Sequence, residues 1–338
     1  MNATLSKNIY FTGQNALELK DEPLPDLQAG EVRIKSTKSL ISTGTESICF
    51  TRNFEPGTHW DNWVKYPFAP GYSLIGEVVG TGPGVELEVG SRVAARRPHH
   101  QFVVAKEEAL FTIPDGVSDE DASFFALAKI VQGGVRRAEH VLGERVVVIG
   151  LGLLGQLVVQ YLRLLGAREI IAVDVSSERL ELAKAHGATV TLQKSVADTY
   201  DDILDLTDGL GADTVYDVTG SSKVLELALP LVKKFGTMVI LGDTGKPSEQ
   251  RLTGHVVTRG LTIVGTHDVH PPVVSSDHVF WSHEQIVQLF FEYVARGDMN
   301  VSDLISHRYR PDEAGDAYAM LQTDRMSAMG VVFDWTEL

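Results

Sequence analysis

The chain has 338 residues, 43% of them hydrophobic and 22% charged. That suits about two packed domains and excludes a disordered, fibrous or disulfide-stapled chain. Its 45 acidic against 30 basic residues leave a net charge of -15, which repels phosphate backbones and anionic lipid and so excludes nucleic acid and membrane surfaces as partners.

Short strands and turns dominate up to Ser118. Residues 32–36 alternate, 75–79 follow a Pro70-Gly71 turn, and 91–95 and 101–105 are further strands. At Ser118 a capping serine and the acids behind it start a helix that runs through Ala126. Strand and helix then alternate. Residues 146–149 are a strand, Leu153–Leu165 a helix closed by Gly166, 170–173 a strand and 177–186 a helix closed by Gly187. Strand 214–218, helix 222–232 and strands 238–241 and 261–264 follow. This order predicts an α/β fold with a doubly wound parallel sheet behind a β-rich region. The apolar stretch 146–162 is long enough to imitate a membrane span, but its three glycines and two glutamines read as a buried strand, a turn and a buried helix. The tail adds an amphipathic helix, 284–296, and a strand, 330–333. The single cysteine, Cys49, makes no intrachain disulfide and points to a reducing compartment, the cytoplasm. The first residues carry no apolar signal segment.

Gly150-Leu151-Gly152-Leu153-Leu154-Gly155 fits G-x-G-x-x-G, with a β-branched strand before it, a helix after it, and Asp174 closing the next strand about 20 residues on. Gly150 permits the tight turn, Gly152 lets a pyrophosphate approach the backbone, and Gly155 lets helix and strand pack closely. The helix N-terminus offers free N–H groups to phosphates. Asp174 can accept both adenosine ribose hydroxyls and would repel a 2′-phosphate, which favours NAD over NADP. Val175 follows it in the same loop, and Arg179, a cation within reach of a phosphate, is read as a surface residue of the next helix. Thr219-Gly220 and Leu241-Gly242 end two later strands at the carboxyl edge, where the ligand crevice lies, and are expected to contact the nicotinamide half.

With this turn mid-chain, the sequence resembles the medium-chain dehydrogenase/reductase superfamily, zinc-type alcohol and polyol dehydrogenases in particular. Pro114-Asp115-Gly116-Val117-Ser118, Gly143-Glu144-Arg145-Val146-Val147-Val148, Leu182-Ala183-Lys184 and Gly187-Ala188 carry the likeness, and 132–139 is similar to bacterial sugar-dehydrogenase-related members. The resemblance implies a GroES-like catalytic domain, 1–126 and 269–338, and a Rossmann domain, 127–268. It also implies a homodimer or homotetramer, with the last Rossmann strand and 271–281 at the contact. The family's zinc motifs are altered. Thr43-Gly44-Thr45-Glu46 puts threonine where the resemblance implies a cysteine ligand, Gly71-Tyr72-Ser73 puts tyrosine at the histidine, and 125–129 offers no third ligand. The four-cysteine lobe is absent. Zinc needs about three protein ligands, so no zinc is expected.

Without zinc, a proton donor must stand near the reacting oxygen. Tyr72, if a cation lowers its pKa, and Lys129 form one candidate pair. The alternative is that Tyr72 fills the vacated volume and Lys129 pairs with an acid such as Glu46. Thr43 and Thr45 can hydrogen-bond substrate or cofactor, and the resemblance makes Thr45 a proton relay. His267, with Asp268 as its orienting partner, is a third candidate; His270 is read as a loop residue. His99 and His100 point opposite ways on a strand, so one can reach the cleft. His278 and His283 carry no chemical pattern. Trp60, Asp61, Asn62 and Trp63 suit a sugar or cyclitol, and surface packing explains them nearly as well. The expected function is zinc-independent hydride transfer between NAD and a hydroxyl or carbonyl of a small polar substrate such as a sugar, polyol or cyclitol. A quinone or enoyl reductase is the alternative enzyme. A non-catalytic dinucleotide-binding sensor or structural protein is the alternative of another class.

Overall fold

A computed structural model describes residues 5–338. It divides into two compact units, one of residues 1–127 and 287–338, the other of 128–286.

The first unit opens with a hairpin of β1 (Leu5–Gly13) and β2 (Ala16–Pro23). β3 (Glu31–Ile41) leads into α1 (Thr43–Thr51) and the short α2 (His59–Trp63). β4 (Leu74–Thr81), β5 (Arg92–Ala95), β6 (Phe102–Lys106) and β7 (Leu110–Thr112) follow, then α3 (Asp119–Ala122) and α4 (Phe125–Arg137), which runs on into the second unit.

The second unit continues with β8 (Arg145–Ile149), α5 (Leu153–Leu165), β9 (Glu169–Asp174), α6 (Ser177–Ala185), β10 (Val190–Gln193) and α7 (Tyr200–Leu206). It ends with β11 (Ala212–Asp217), α8 (Val224–Ala228), β12 (Val232–Ile240), α9 (His255–Thr258) and β13 (Thr262–Gly265). α10 (His283–Ala295), β14 (Ile305–Tyr309), α11 (Ala314–Thr323) and β15 (Gly330–Asp334) bring the chain back to the first unit.

The first unit's large sheet runs β14-β15-β3-β4-β5-β7, with β6 also on β3. β15 pairs antiparallel with β3, Val331 opposite Ile41. Alternate residues of these strands, Val32, Ile34, Leu74, Val78, Val93 and Val103 among them, fill its interior. A second apolar core gathers Phe11, Phe50, Trp60, Phe68, Tyr318, Phe333 and Trp335.

The second unit is a six-stranded parallel sheet, β10-β9-β8-β11-β12-β13. In order of appearance this is 3-2-1-4-5-6, the doubly wound order whose switch point, between β8 and β11, is where such sheets bind ligands. The α/β class and the parallel sheet agree with the sequence reading. The stretch 146–162 is indeed a buried strand, a turn and a buried helix, and no helix of the described residues is long and apolar enough to cross a membrane.

Two helices differ from expectation. The one expected over 118–126 is two. Ser118 caps α3 by accepting the Asp121 N–H, but the Ser123 hydroxyl then donates to the Glu120 carbonyl and competes with the backbone, and α4 begins afresh at Phe125. The helix expected over 222–232 stops at Ala228, because Pro230 lacks an N–H and turns the chain into a single 3-10 turn. Val232 already pairs with Ala212, so the strand expected over 238–241 is the end of the longer β12.

Candidate active site

The glycine turn sits between the end of β8 and the start of α5. Gly150 has φ +90°, and a Cβ there would lie 2.8 Å from Thr219 Cγ2, so the turn packs directly on the loop after β11. A Cβ on Gly155 would lie 2.0 Å from the Gly150 carbonyl oxygen, so only glycine lets α5 start this close to the turn. Gly152, the N-cap of α5, is different: a Cβ there would meet nothing within 4 Å. Its bareness serves open space over the N–H groups of Leu153 and Leu154, the space and the donors that a pyrophosphate needs.

Asp174 ends β9 beside this turn. Its Oδ2 accepts the Leu151 N–H at 2.7 Å and its Oδ1 the Ser176 N–H at 2.9 Å. A carboxylate has about four acceptor positions, so two remain for ribose hydroxyls. Val175, next in the loop, is exposed. Arg179 is half-buried in the first turn of α6, and its carbonyl accepts the Gln156 amide at 2.8 Å. Gln156 also reaches the Leu151 carbonyl and His186, which ties α5, α6 and the turn together. On the far side of the switch point, buried Asp217 accepts the Thr219 N–H and hydroxyl through Oδ1, and burial pushes its carboxyl above the usual range. The Asp217 carbonyl accepts the Leu241 and Gly242 N–H groups, and a Cβ on Gly242 would lie 2.5 Å from the Gly220 nitrogen. These two loops are therefore built as one surface. The residues present fit a dinucleotide: donors, open space and a ribose acceptor converge on the switch point.

In α4 the glycine pair Gly133-Gly134 plays a similar part. A Cβ on Gly134 would lie 3.0 Å from Leu241 Cδ1 and 3.1 Å from Thr266 Cγ2, so α4 rests on the carboxyl ends of β12 and β13. Lys129 stands one helical turn before Gly133 and on the same face. It is buried, its Nζ donates to His283 Nδ1 at 3.2 Å, and it lies 3.8 Å from Asp268 Oδ2. Asp268 Oδ1 is 3.1 Å from His267 Nδ1, so the expected His267–Asp268 partnership is present in the structure. His270 Nδ1 accepts the His267 backbone N–H and lies 3.4 Å from Arg137. Sequence reasoning missed His283. Its one signal is its position at the start of a helix, which says nothing of the lysine it meets.

The other candidates belong to the first unit. The Tyr72 hydroxyl donates to Ser42 Oγ at 2.6 Å, Thr45 is a second hydrogen-bond partner, and the Arg96 guanidinium lies 5.0 Å from the ring centre. Burial outweighs the lowering effect of the Ser42 and Thr45 hydrogen bonds and of Arg96 and pushes the phenol above its usual range, so the condition set for Tyr72 as the acid, a pKa lowered by a cation, is not met. Thr43 is buried in the first turn of α1. Glu46 is sealed inside the first unit, where it accepts the Ser42 N–H and the Tyr318 hydroxyl and lies 3.1 Å from His99 Nε2. His99 and His100 do point opposite ways. His99 enters the core, whereas the His100 ring lies 5.5 Å from that of Tyr10. Trp60 is core packing and Asp61 is occupied by Arg52 and the Gly57 N–H, which leaves only Trp63 of that quartet as an exposed ring.

The residues at the altered motifs of the first unit do not fit zinc: Thr43 and Tyr72 present hydroxyls where zinc takes thiolate, imidazole or carboxylate, and among the described residues no group of three or more His, Cys, Asp or Glu could hold a metal ion.

A family described as zinc-binding dehydrogenases matches residues 154–275, a segment that contains none of these altered motifs. D-guloside 3-dehydrogenase of Escherichia coli K12 is 29% identical, with 88% of this chain and 91% of that protein aligned. L-threonine 3-dehydrogenase of Francisella tularensis subsp. mediasiatica is 23% identical over 94% of this chain and 95% of its own. Among solved structures, galactitol-1-phosphate dehydrogenase from Escherichia coli superimposes with a TM-score of 0.82 at 21% identity, over 97% of this chain and 99% of that one.

Proposed function

This chain belongs to the medium-chain dehydrogenase/reductase superfamily and is a dehydrogenase, and we propose that it moves a hydride between NAD and a hydroxyl or carbonyl carbon of a small polar substrate without zinc. The observation that carries this reading is the turn at the switch point: open space at Gly152, helix N–H donors behind it, and the Asp174 carboxylate beside it. A bound nicotinamide supplies the hydride acceptor or donor. Gly152, Leu153 and Leu154 would hold the pyrophosphate, Asp174 the adenosine ribose, and the Thr219-Gly220 and Leu241-Gly242 loops the nicotinamide half.

Lys129 is the proton donor and acceptor in this reading. Its ammonium is kept in one orientation by His283 and its charge is balanced by Asp268, so it can meet an oxyanion that develops on the substrate. Tyr72, with a phenol that stays protonated through the neutral range, serves as a hydrogen-bond donor within its hydroxyl trio with Ser42 and Thr45. Sugars, polyols and cyclitols are the proposed substrate class, supported by the D-guloside 3-dehydrogenase among the similar proteins. We place the protein in the cytoplasm as a homodimer or homotetramer. β13 is an edge strand, and Val269, Val273, Val274, Val279 and Phe280 beyond it are exposed, an apolar face that a second copy would cover.

The test is thermal stability of metal-analysed protein with NADH and then NADPH. Ligand at about 100 times its dissociation constant adds roughly 2.7 kcal/mol. A clear shift with NADH, little with NADPH and no bound zinc is the expected result; stoichiometric zinc, or no shift with either nucleotide, overturns the reading.

A further inference from the structure

The carboxylate of Asp268 joins two groups that the sequence offers as rivals for one role. Oδ2 faces the Lys129 amine at 3.8 Å and Oδ1 faces the His267 imidazole at 3.1 Å. Lys129 and Asp268 are buried, whereas the His267 side chain is 57% exposed. The three groups thus form a line from an interior amine to a solvent-facing ring, all within the second unit. The inner end lies where chemistry is expected, because Gly133 and Gly134, one turn beyond Lys129, seat α4 on the carboxyl ends of β12 and β13. Other titratable and charged groups beside the line include His283 on the lysine, and His270 with Arg137 behind the His267 backbone.

We propose that Lys129, Asp268 and His267 act as one proton relay between the substrate oxygen and solvent, an inference that rests on the hydride-transfer reading above. In the reducing direction the carbonyl carbon gains the hydride and its oxygen takes a proton from Lys129 Nζ. The neutral amine regains a proton that enters at His267 and crosses the two oxygens of Asp268. In the oxidising direction the ammonium first gives a proton through Asp268 and His267 to solvent; the substrate O–H bond then breaks, its proton passes to the neutral Nζ, and the hydride pair goes to the nicotinamide. No further oxidant or reductant is required. The 3.8 Å gap is an ion-pair separation, so this step needs a small swing of the flexible lysine stem or one bridging water. His283 holds a second N–H of the amine and orients it. Asp268 and His267 are positioning residues that act through Lys129.

The relay has a signature that needs no cofactor. NMR titration of the His267 ring gives its midpoint in the wild-type chain, in Asp268→Asn and in Lys129→Met. Loss of the carboxylate lowers the midpoint, and loss of the ammonium, which shares that carboxylate, raises it. A midpoint that moves in neither variant overturns the relay. Turnover with NAD is then measured on galactitol, sorbitol and myo-inositol. Where one of them reacts, His267→Ala lowers kcat about 10- to 100-fold with KM little changed, and added imidazole restores it, which a structural role would not allow. Normal kcat in His267→Ala beside a collapsed rate in His283→Gln sends the proton out through His283 and overturns the proposal. Normal rates in Lys129→Met with a collapsed rate in Tyr72→Phe overturn it as well. NADH binding with no turnover on any polyol or its carbonyl overturns the hydride-transfer reading itself, and the relay with it.

Discussion

Glu46 and His99 face each other at 3.1 Å inside the first unit, with both side chains sealed from solvent. The carboxylate also takes the Ser42 N–H and the Tyr318 hydroxyl, and His99 Nδ1 lies 2.8 Å from Ser39 Oγ, which accepts the Trp335 indole N–H. One acid therefore ties α1 and α11 to the segment between β5 and β6 that carries His99. Removing a buried acceptor leaves the donors around it unsatisfied, which costs about 1–3 kcal/mol for a buried group. Glu46→Ala should lower stability by an amount of that order in urea unfolding followed by tryptophan fluorescence, which reports on Trp60 and Trp335. A loss under about 1 kcal/mol would mean that the network carries little of the fold.

The two inner glycines of the turn should separate stability from binding. Gly155→Ala forces a methyl against the Gly150 carbonyl, where a Cβ would sit at 2.0 Å, and should cost at least the ~1–3 kcal/mol of an overpacked core. Gly152→Ala meets open space, and its cost to the fold should stay near the ~1 kcal/mol of a poorer N-cap. Its cost to NADH affinity, read by calorimetric titration, should be tenfold or more. Equal affinities for wild-type and Gly152→Ala would move the pyrophosphate away from this turn.

Asp174→Ala removes the ribose acceptor together with its bonds to the Leu151 and Ser176 amides. Charge-assisted hydrogen bonds are worth about 1.5–3 kcal/mol each, so NADH should weaken by at least tenfold. NADPH should weaken less, because the repulsion of its 2′-phosphate goes with the carboxylate. Titration of both nucleotides checks this, and an unchanged ratio takes the discrimination away from Asp174.

His100 makes stability depend on acid. Burial holds its imidazole down to about 4, against 6.5 for the free group, although Glu22 pulls the other way. Between those values the unfolded chain binds the proton and the folded chain does not, so stability rises with pH. This contribution is complete above about pH 6.5 and is lost as pH falls through that window to about 4. His100→Gln should flatten this part of the stability curve in urea unfolding at stepped pH; a slope identical to wild type would assign it to other groups.

What the sequence by itself determined is what neighbours along the chain decide. The parallel sheet follows from alternating β-branched and helix-forming runs, and the Leu153–Leu165 helix from its glycine N-cap and from Gly166 in the left-handed region. The phosphate-binding turn follows from the spacing of three glycines and from Asp174 at the end of the next strand. Pro230 was a local signal too, and it outweighs the helical pattern around it. What only the tertiary structure decided is which side chain meets which across long stretches of sequence. Glu46 belongs to His99 and Tyr318, Lys129 belongs to Asp268 and His283, and Trp60 belongs to the core. The physical reason is burial. A charged or polar group taken out of water must find partners wherever the packed elements bring them, and no spacing along the chain records that choice.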